Sequence, residues 1–192
     1  MKFILTISIV INIILITISK VKIILEGVLI MKSFKDIIEE LKKREETIAT
    51  MESCTGGGIA DAITSVEGAS LVLRFSAVTY SNEYKIKMGV KEETIEKYSV
   101  YSMETAHDMS EAICRFARSD MGIGITGKLN RADVNNNFGK DNQVFISIYY
   151  KGKHFDMTVN VDKNSRAENK LVLIDLIIDR IGEILWGEKL TK

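Results

Sequence analysis

Two hydrophobic periods alternate along the chain after Met31, and a chain patterned in this way must interleave helices with strands. Helical spacing comes first. Ser33 is placed to cap, and Phe34, Ile37, Ile38 and Leu41 recur on one face. Residues 47–51 are short, apolar and β-branched, which predicts a strand. Gly56-Gly57-Gly58 then opens a helical pattern through Ile59, Ala60, Ala62 and Ile63. Residues 71–80 predict a second strand and 121–126 a third. Between them, 92–98 and 103–118 are helical, the latter with Met109, Ala112, Ile113 and Phe116 as its apolar positions. The polar stretch 127–142 is a loop. Strand patterns at 144–150 and 154–161 flank Lys151-Gly152-Lys153, which predicts a hairpin, and 167–185 closes as an amphipathic helix. The expected class is α/β: a three-layer α/β/α domain with a mixed sheet.

The first thirty residues break this pattern. Residues 3–19 are almost wholly apolar, Lys20 and Lys22 follow, and 23–30 are apolar again apart from Glu26. The first run falls slightly short of the ~20 residues that span a bilayer. No alanine precedes Ala49, so a secretory cleavage site is a poor reading. Residues 1–30 are then either a membrane anchor, with the flanking lysines holding the domain in the cytoplasm, or no part of the native chain. Met31 followed by a helix start favours the second, leaving 31–192 as the working domain. A membrane is a partner only if residues 1–30 are real.

Charge narrows the function. Acidic and basic residues balance at 26 each, so no field draws the chain to nucleic acid, and no basic patch or aromatic platform marks a nucleic-acid interface. Cys54 and Cys114 form no disulfide framework and fit a reduced, cytoplasmic setting. His107 and His154 stand apart without ligand spacing, so no metal site is expected. Gly122-Ile-Gly-Ile-Thr-Gly127-Lys128 matches the start of a phosphate-binding loop, but Leu129 stands where magnesium needs Ser or Thr, and the glycines lie inside a predicted strand.

Glu52-Ser53-Cys54-Thr55-Gly56-Gly57 lies at a strand-to-helix turn. Its glycines let the backbone approach a ligand, and free N–H groups at a helix start hold an anion or oxyanion. Ser53 is then a nucleophile; read without chemistry, Ser53 or Thr55 is an N-cap. Cys54 competes, with no obvious activating neighbour. Val78-Thr79-Tyr80-Ser81-Asn82-Glu83-Tyr84-Lys85 ends a strand and enters a short helix. A serine needs a base, and a desolvated lysine accepts its proton. A solvated lysine and a surface tyrosine are the bland reading of that stretch.

These two blocks, about 25 residues apart and followed by Gly89-Val90, resemble the CinA C-terminal domain family, whose stand-alone members are nicotinamide-nucleotide amidases. The likeness runs from about Phe34 to Trp186. It implies a cofactor-free amidohydrolase that converts nicotinamide mononucleotide to nicotinate mononucleotide and ammonia. Ser53 is then nucleophile and Tyr80 and Lys85 its activating partners. Thr55, Gly56, Gly57, Asn82 and Thr126 line the substrate site. Arg166, with Lys170 one turn later, holds the phosphate. The expected partner is a small-molecule nucleotide, and self-association into a homo-oligomer is left open.

The likeness breaks after Gly127, where the family has a loop rich in glycine and proline. Here 128–142 reads KLNRADVNNNFGKDN, without proline. A rewritten loop beside a kept nucleophile turn leaves a second class open, a nucleotide-binding module with weak or no catalysis.

Overall fold

The computed structural model describes residues 33–130 and 139–187. The apolar segment 1–30 therefore lies outside the described residues, as does 131–138 of the rewritten loop.

Helix α1 (Phe34–Arg44) begins at Ser33, whose hydroxyl accepts from the Asp36 amide while the Asp36 carboxylate accepts from the Ser33 amide. This reciprocal box satisfies two helix-terminal donors at once. Strand β1 (Ile48–Glu52) and helix α2 (Gly58–Thr64) follow. A short 3-10 turn, Ala69–Leu71, takes up the start of the predicted second strand, so β2 runs Leu73–Val78. Helices α3 (Asn82–Lys87), α4 (Glu92–Tyr98) and α5 (Met103–Ala117) lead to β3 (Met121–Gly127). Strands β4 (Gln143–Tyr150) and β5 (Lys153–Asn160) pair through Lys151 and Gly152, both at positive φ, which is the two-residue turn that matches strand twist. Helix α6 (Arg166–Gly187) ends the described chain.

The sheet has the order β2-β1-β3-β4-β5. β1 is parallel to both β2 and β3, while β3–β4 and β4–β5 are antiparallel, so the sheet is mixed as expected. β1 and β3 are buried along their whole length, as central strands covered on both faces must be. On one face, Ile48, Met121, Ile123 and Ile125 pack with Phe34, Ile37, Ile38 and Leu41 of α1 and Leu173, Ile177 and Ile181 of α6. On the other, Ala49 and Met51 pack with Met109, Ala112 and Ile113 of α5. The expected α5 stripe holds except at Phe116, which is exposed and lies against Phe75 of the edge strand β2, ring centroids 5.1 Å apart. The end of α5 overhangs the sheet edge there instead of the core.

The phosphate-loop lookalike has a packing cause. A Cβ on Gly124 would stand 2.4 Å from the Ala106 carbonyl oxygen, and one on Gly122 2.1 Å from that of Ser110. These glycines let the α5 backbone lie directly on β3. Gly124→Ala is therefore expected to push α5 off the sheet and cost about 1–3 kcal/mol. That corresponds to a fall of several degrees in Tm by thermal melting. An unchanged Tm would contradict the close approach.

Candidate functional site

Register builds the site. Glu52 pairs with Val78 and with Ile125, so β2, β1 and β3 end side by side. Ser53 leaves β1 with its amide on the Ile125 carbonyl (3.1 Å), and Thr79 leaves β2 with its amide on the Glu52 carbonyl (2.8 Å). The carboxyl ends of parallel strands are where α/β sheets place ligands. A cleft opens there between Ser53, Cys54, Tyr80, Gly127, Lys128 and Arg166, with Tyr101 and Leu129 completing its lining.

Helix α3 starts at Ser81, whose hydroxyl caps the Tyr84 amide. One turn in, Lys85 points back beneath the strand ends and is 1% exposed. Its Nζ lies 3.1 Å from Ser53 Oγ and donates to the Thr79 carbonyl at 2.7 Å. Two residues 32 apart in sequence thus form a buried hydroxyl–amine pair, with the amine held from behind by the Thr79 carbonyl.

Ser53 and Thr55 do not cap α2. That role falls to Glu52, which is fully buried and accepts from the amides of Gly57 (3.1 Å), Ile59 (3.1 Å) and Ala60 (2.8 Å). The N-cap position itself, Gly57, has φ 94° and no side chain. The start of α2 is therefore filled by an internal carboxylate and is not the open anion site expected from the sequence. The Gly56 amide is also occupied, by the Ser53 carbonyl at 3.1 Å. Among the described residues the amides of Cys54 and Thr55 donate to no backbone carbonyl. Nothing in the sequence flagged Glu52, whose role depends on the strand end bringing it under the helix.

The other expected residues divide. Tyr80 lies at the mouth, 65% exposed, with its hydroxyl 3.5 Å from Arg166 Nη2. It shares the cleft with Ser53, but its described hydrogen bond is to Arg166 and not to Ser53 or Lys85. Arg166 also donates to the Leu129 carbonyl at 2.7 Å, which fixes it over the cleft. Lys170 Nζ comes to 3.3 Å from where a Gly56 Cβ would stand, so it reaches the turn after Ser53. Thr126 is fully buried and donates to the Val100 carbonyl at 2.8 Å. It faces the α5 side with Gly122 and Gly124, and it does not line the cleft. Asn82 begins α3 and is likewise outside the lining. Lys128, noted in the sequence within the false phosphate loop and at the head of the rewritten loop but not as a site residue, is 4% exposed, lines the cleft, and lies over the Tyr101 ring at 5.2 Å.

Burial pushes the Cys54 thiol up to about 12, so at neutral pH it is a protonated packing group. Iodoacetamide at pH 8 is expected to leave Cys54 unmodified in the folded chain and to modify it after denaturation. Rapid native-state alkylation at Cys54, read by peptide mass spectrometry, would restore it as a rival nucleophile.

The two histidines also depart from expectation. They are 47 residues apart in sequence, but α5 and β5 bring His107 and His154 into a stack with centroids 4.2 Å apart, and Asp156 joins them.

Fold and cleft together define a three-layer α/β domain with a serine–lysine pair at the carboxyl ends of its parallel strands. The chain belongs to the CinA C-terminal domain family, whose pattern matches residues 31–182. A competence-damage inducible protein of Clostridium botulinum (strain Kyoto / Type A2) is 39% identical over 142 residues, 70% of this chain and 34% of that protein. One from Caldanaerobacter subterraneus subsp. tengcongensis is 49% identical over 92 residues, 47% of this chain and 22% of that protein. The chain thus spans about a third or less of these curated relatives. Among solved structures, a CinA superfamily protein of Klebsiella pneumoniae 700603 has the same fold, with TM-score 0.74 at 22% identity over 80% of this chain and 96% of that one. The competence/damage inducible protein CihA of Agrobacterium tumefaciens gives TM-score 0.70 at 25% identity, over 76% and 89%. Among the described residues no helix is long and apolar enough to cross a membrane.

Proposed function

We propose that the cleft hydrolyses the carboxamide of a nicotinamide nucleotide, releasing ammonia. The observation that carries this reading is the buried contact of 3.1 Å between Lys85 Nζ and Ser53 Oγ. The step needs Lys85 as a neutral amine, since only the free amine accepts a proton. Ser53 Oγ attacks the carboxamide carbon as its proton passes to Lys85 Nζ. The Thr79 carbonyl holds another N–H of that amine and so aims it at Ser53. The oxyanion forms against the Cys54 and Thr55 amides. The Lys85 ammonium then protonates the leaving amine, and water releases the acid with Lys85 again as base.

Arg166 and Lys128 give the cleft a cationic wall suited to a phosphate, with Tyr80 at its mouth beside Arg166. The Thr55 hydroxyl is buried without a protein partner among the described residues, so folding alone leaves it unsatisfied. The proposal thus moves Tyr80 from proton transfer to substrate positioning.

Incubating the chain with nicotinamide mononucleotide is expected to yield equimolar ammonia and nicotinate mononucleotide. No ammonia from a folded chain that binds the nucleotide would overturn the enzyme and leave the second reading, a nucleotide-binding module. The feature that favours that module is the loop after Gly127, where Lys128 occupies the cleft and the family's glycine–proline run is missing.

A further inference from the structure

Far from the Ser53 turn in sequence, α5 and β5 assemble a second cluster of chemistry-bearing side chains. His154 and Asp156 are two apart on β5 and so share one face of that strand. His107 lies on α5, which packs across the same face of the sheet. One ligand atom from each of the three residues lies within 4.8 Å of the others. We propose that His107, His154 and Asp156 form a binding site for one transition-metal dication of the zinc class.

The local bonding prepares the ligands. His154 Nδ1 is engaged by Ser147 Oγ at 3.0 Å, with Ser110 Oγ at 3.5 Å. A hydroxyl on one imidazole nitrogen fixes the ring and leaves the other, Nε2, for a metal. Ser147 is the register partner of Asp156 on the neighbouring strand, so the hydroxyl and the carboxylate are placed by the same ladder. His107 Nε2 and Asp156 Oδ2 already meet at 2.7 Å. A neutral imidazole that ligates through Nε2 carries its hydrogen on Nδ1, so a dication entering here takes the place of the shared hydrogen and leaves His107 in the Nδ1–H tautomer.

Two imidazoles and one carboxylate are the donor set of Zn²⁺, Co²⁺ or Ni²⁺, with positions left for water; Mg²⁺ and Ca²⁺ prefer oxygen ligands alone. The rings now lie 26° from parallel, so sharing one ion requires a side-chain rotation. The side chains of His107 and Asp156 are about one-third exposed, at 35% and 36%, which leaves room for it.

The test is titration of the full chain, freed of metal by chelation, with Zn²⁺ by calorimetry and with Co²⁺ by visible absorption. The expected result is one ion per chain and a rise in Tm of several degrees on binding. His154→Asn and Asp156→Asn are each expected to weaken binding at least about tenfold. Both positions are partly exposed, and the Tm of the metal-free variants confirms folding. Ser53→Ala is expected to bind as wild type does, which separates this site from the cleft. No saturable binding, or the same stoichiometry and affinity in both variants, would overturn the proposal.

Discussion

Replacing Ser53 by alanine is expected to lower amide hydrolysis by about 10⁴-fold or more while the protein stays folded. The hydroxyl is the atom within reach of the buried amine, at 3.1 Å from Lys85 Nζ, and alanine removes the reacting atom without altering the turn. The Ser53 amide still bonds the Ile125 carbonyl, and Lys85 keeps the Thr79 carbonyl. The stability cost should then be that of one hydrogen bond, about 0.5–1.5 kcal/mol. Steady-state ammonia release and a thermal melt read the two quantities separately. Activity within a few-fold of wild type would move the nucleophile elsewhere.

Lys85→Met should be nearly as damaging. Methionine keeps an unbranched apolar stem in a position that is 1% exposed, but it supplies neither a base nor a donor to the Thr79 carbonyl. Leaving that carbonyl unsatisfied costs about 1–3 kcal/mol, so the variant is checked by Tm before its rate is interpreted. The informative measurement is kcat/KM against pH. With lysine as base, the wild-type rate rises as pH rises through the amine's titration, and the residual rate of Lys85→Met loses that rise. A flat wild-type profile from about pH 6 to 9 would remove lysine from the proton transfer.

Local signals were legible and long-range ones were not. The Ser33 cap, the Lys151-Gly152 hairpin and the turn before α2 are written within a few residues, and the sequence predicts each of them, though not the reciprocal bond from Asp36. So is the interleaving that implies a mixed sheet. Sheet order is not local. Only the β2-β1-β3 arrangement brings Ser53 beside Thr79 and Lys85, and the sequence shows those as two separate blocks. Side-chain direction is equally hidden. Thr126 follows the strand alternation that turns it to Val100, and Tyr80 leaves β2 towards solvent. Glu52 becomes the α2 cap because a strand end places a carboxylate beneath three amides, and no spacing rule marks it. His107 and His154 looked isolated for the same reason, since a helix and an edge strand must pack before they meet.

The central claim is that Ser53 forms a covalent bond to the substrate carbonyl. Rapid-quench mass spectrometry during turnover of nicotinamide mononucleotide tests it most directly. The peptide containing Ser53 is expected to gain the mass of the nicotinate mononucleotide acyl group, with no such gain in Ser53→Ala. An acyl group found on another residue, or ammonia release by Ser53→Ala at the wild-type rate, would contradict it.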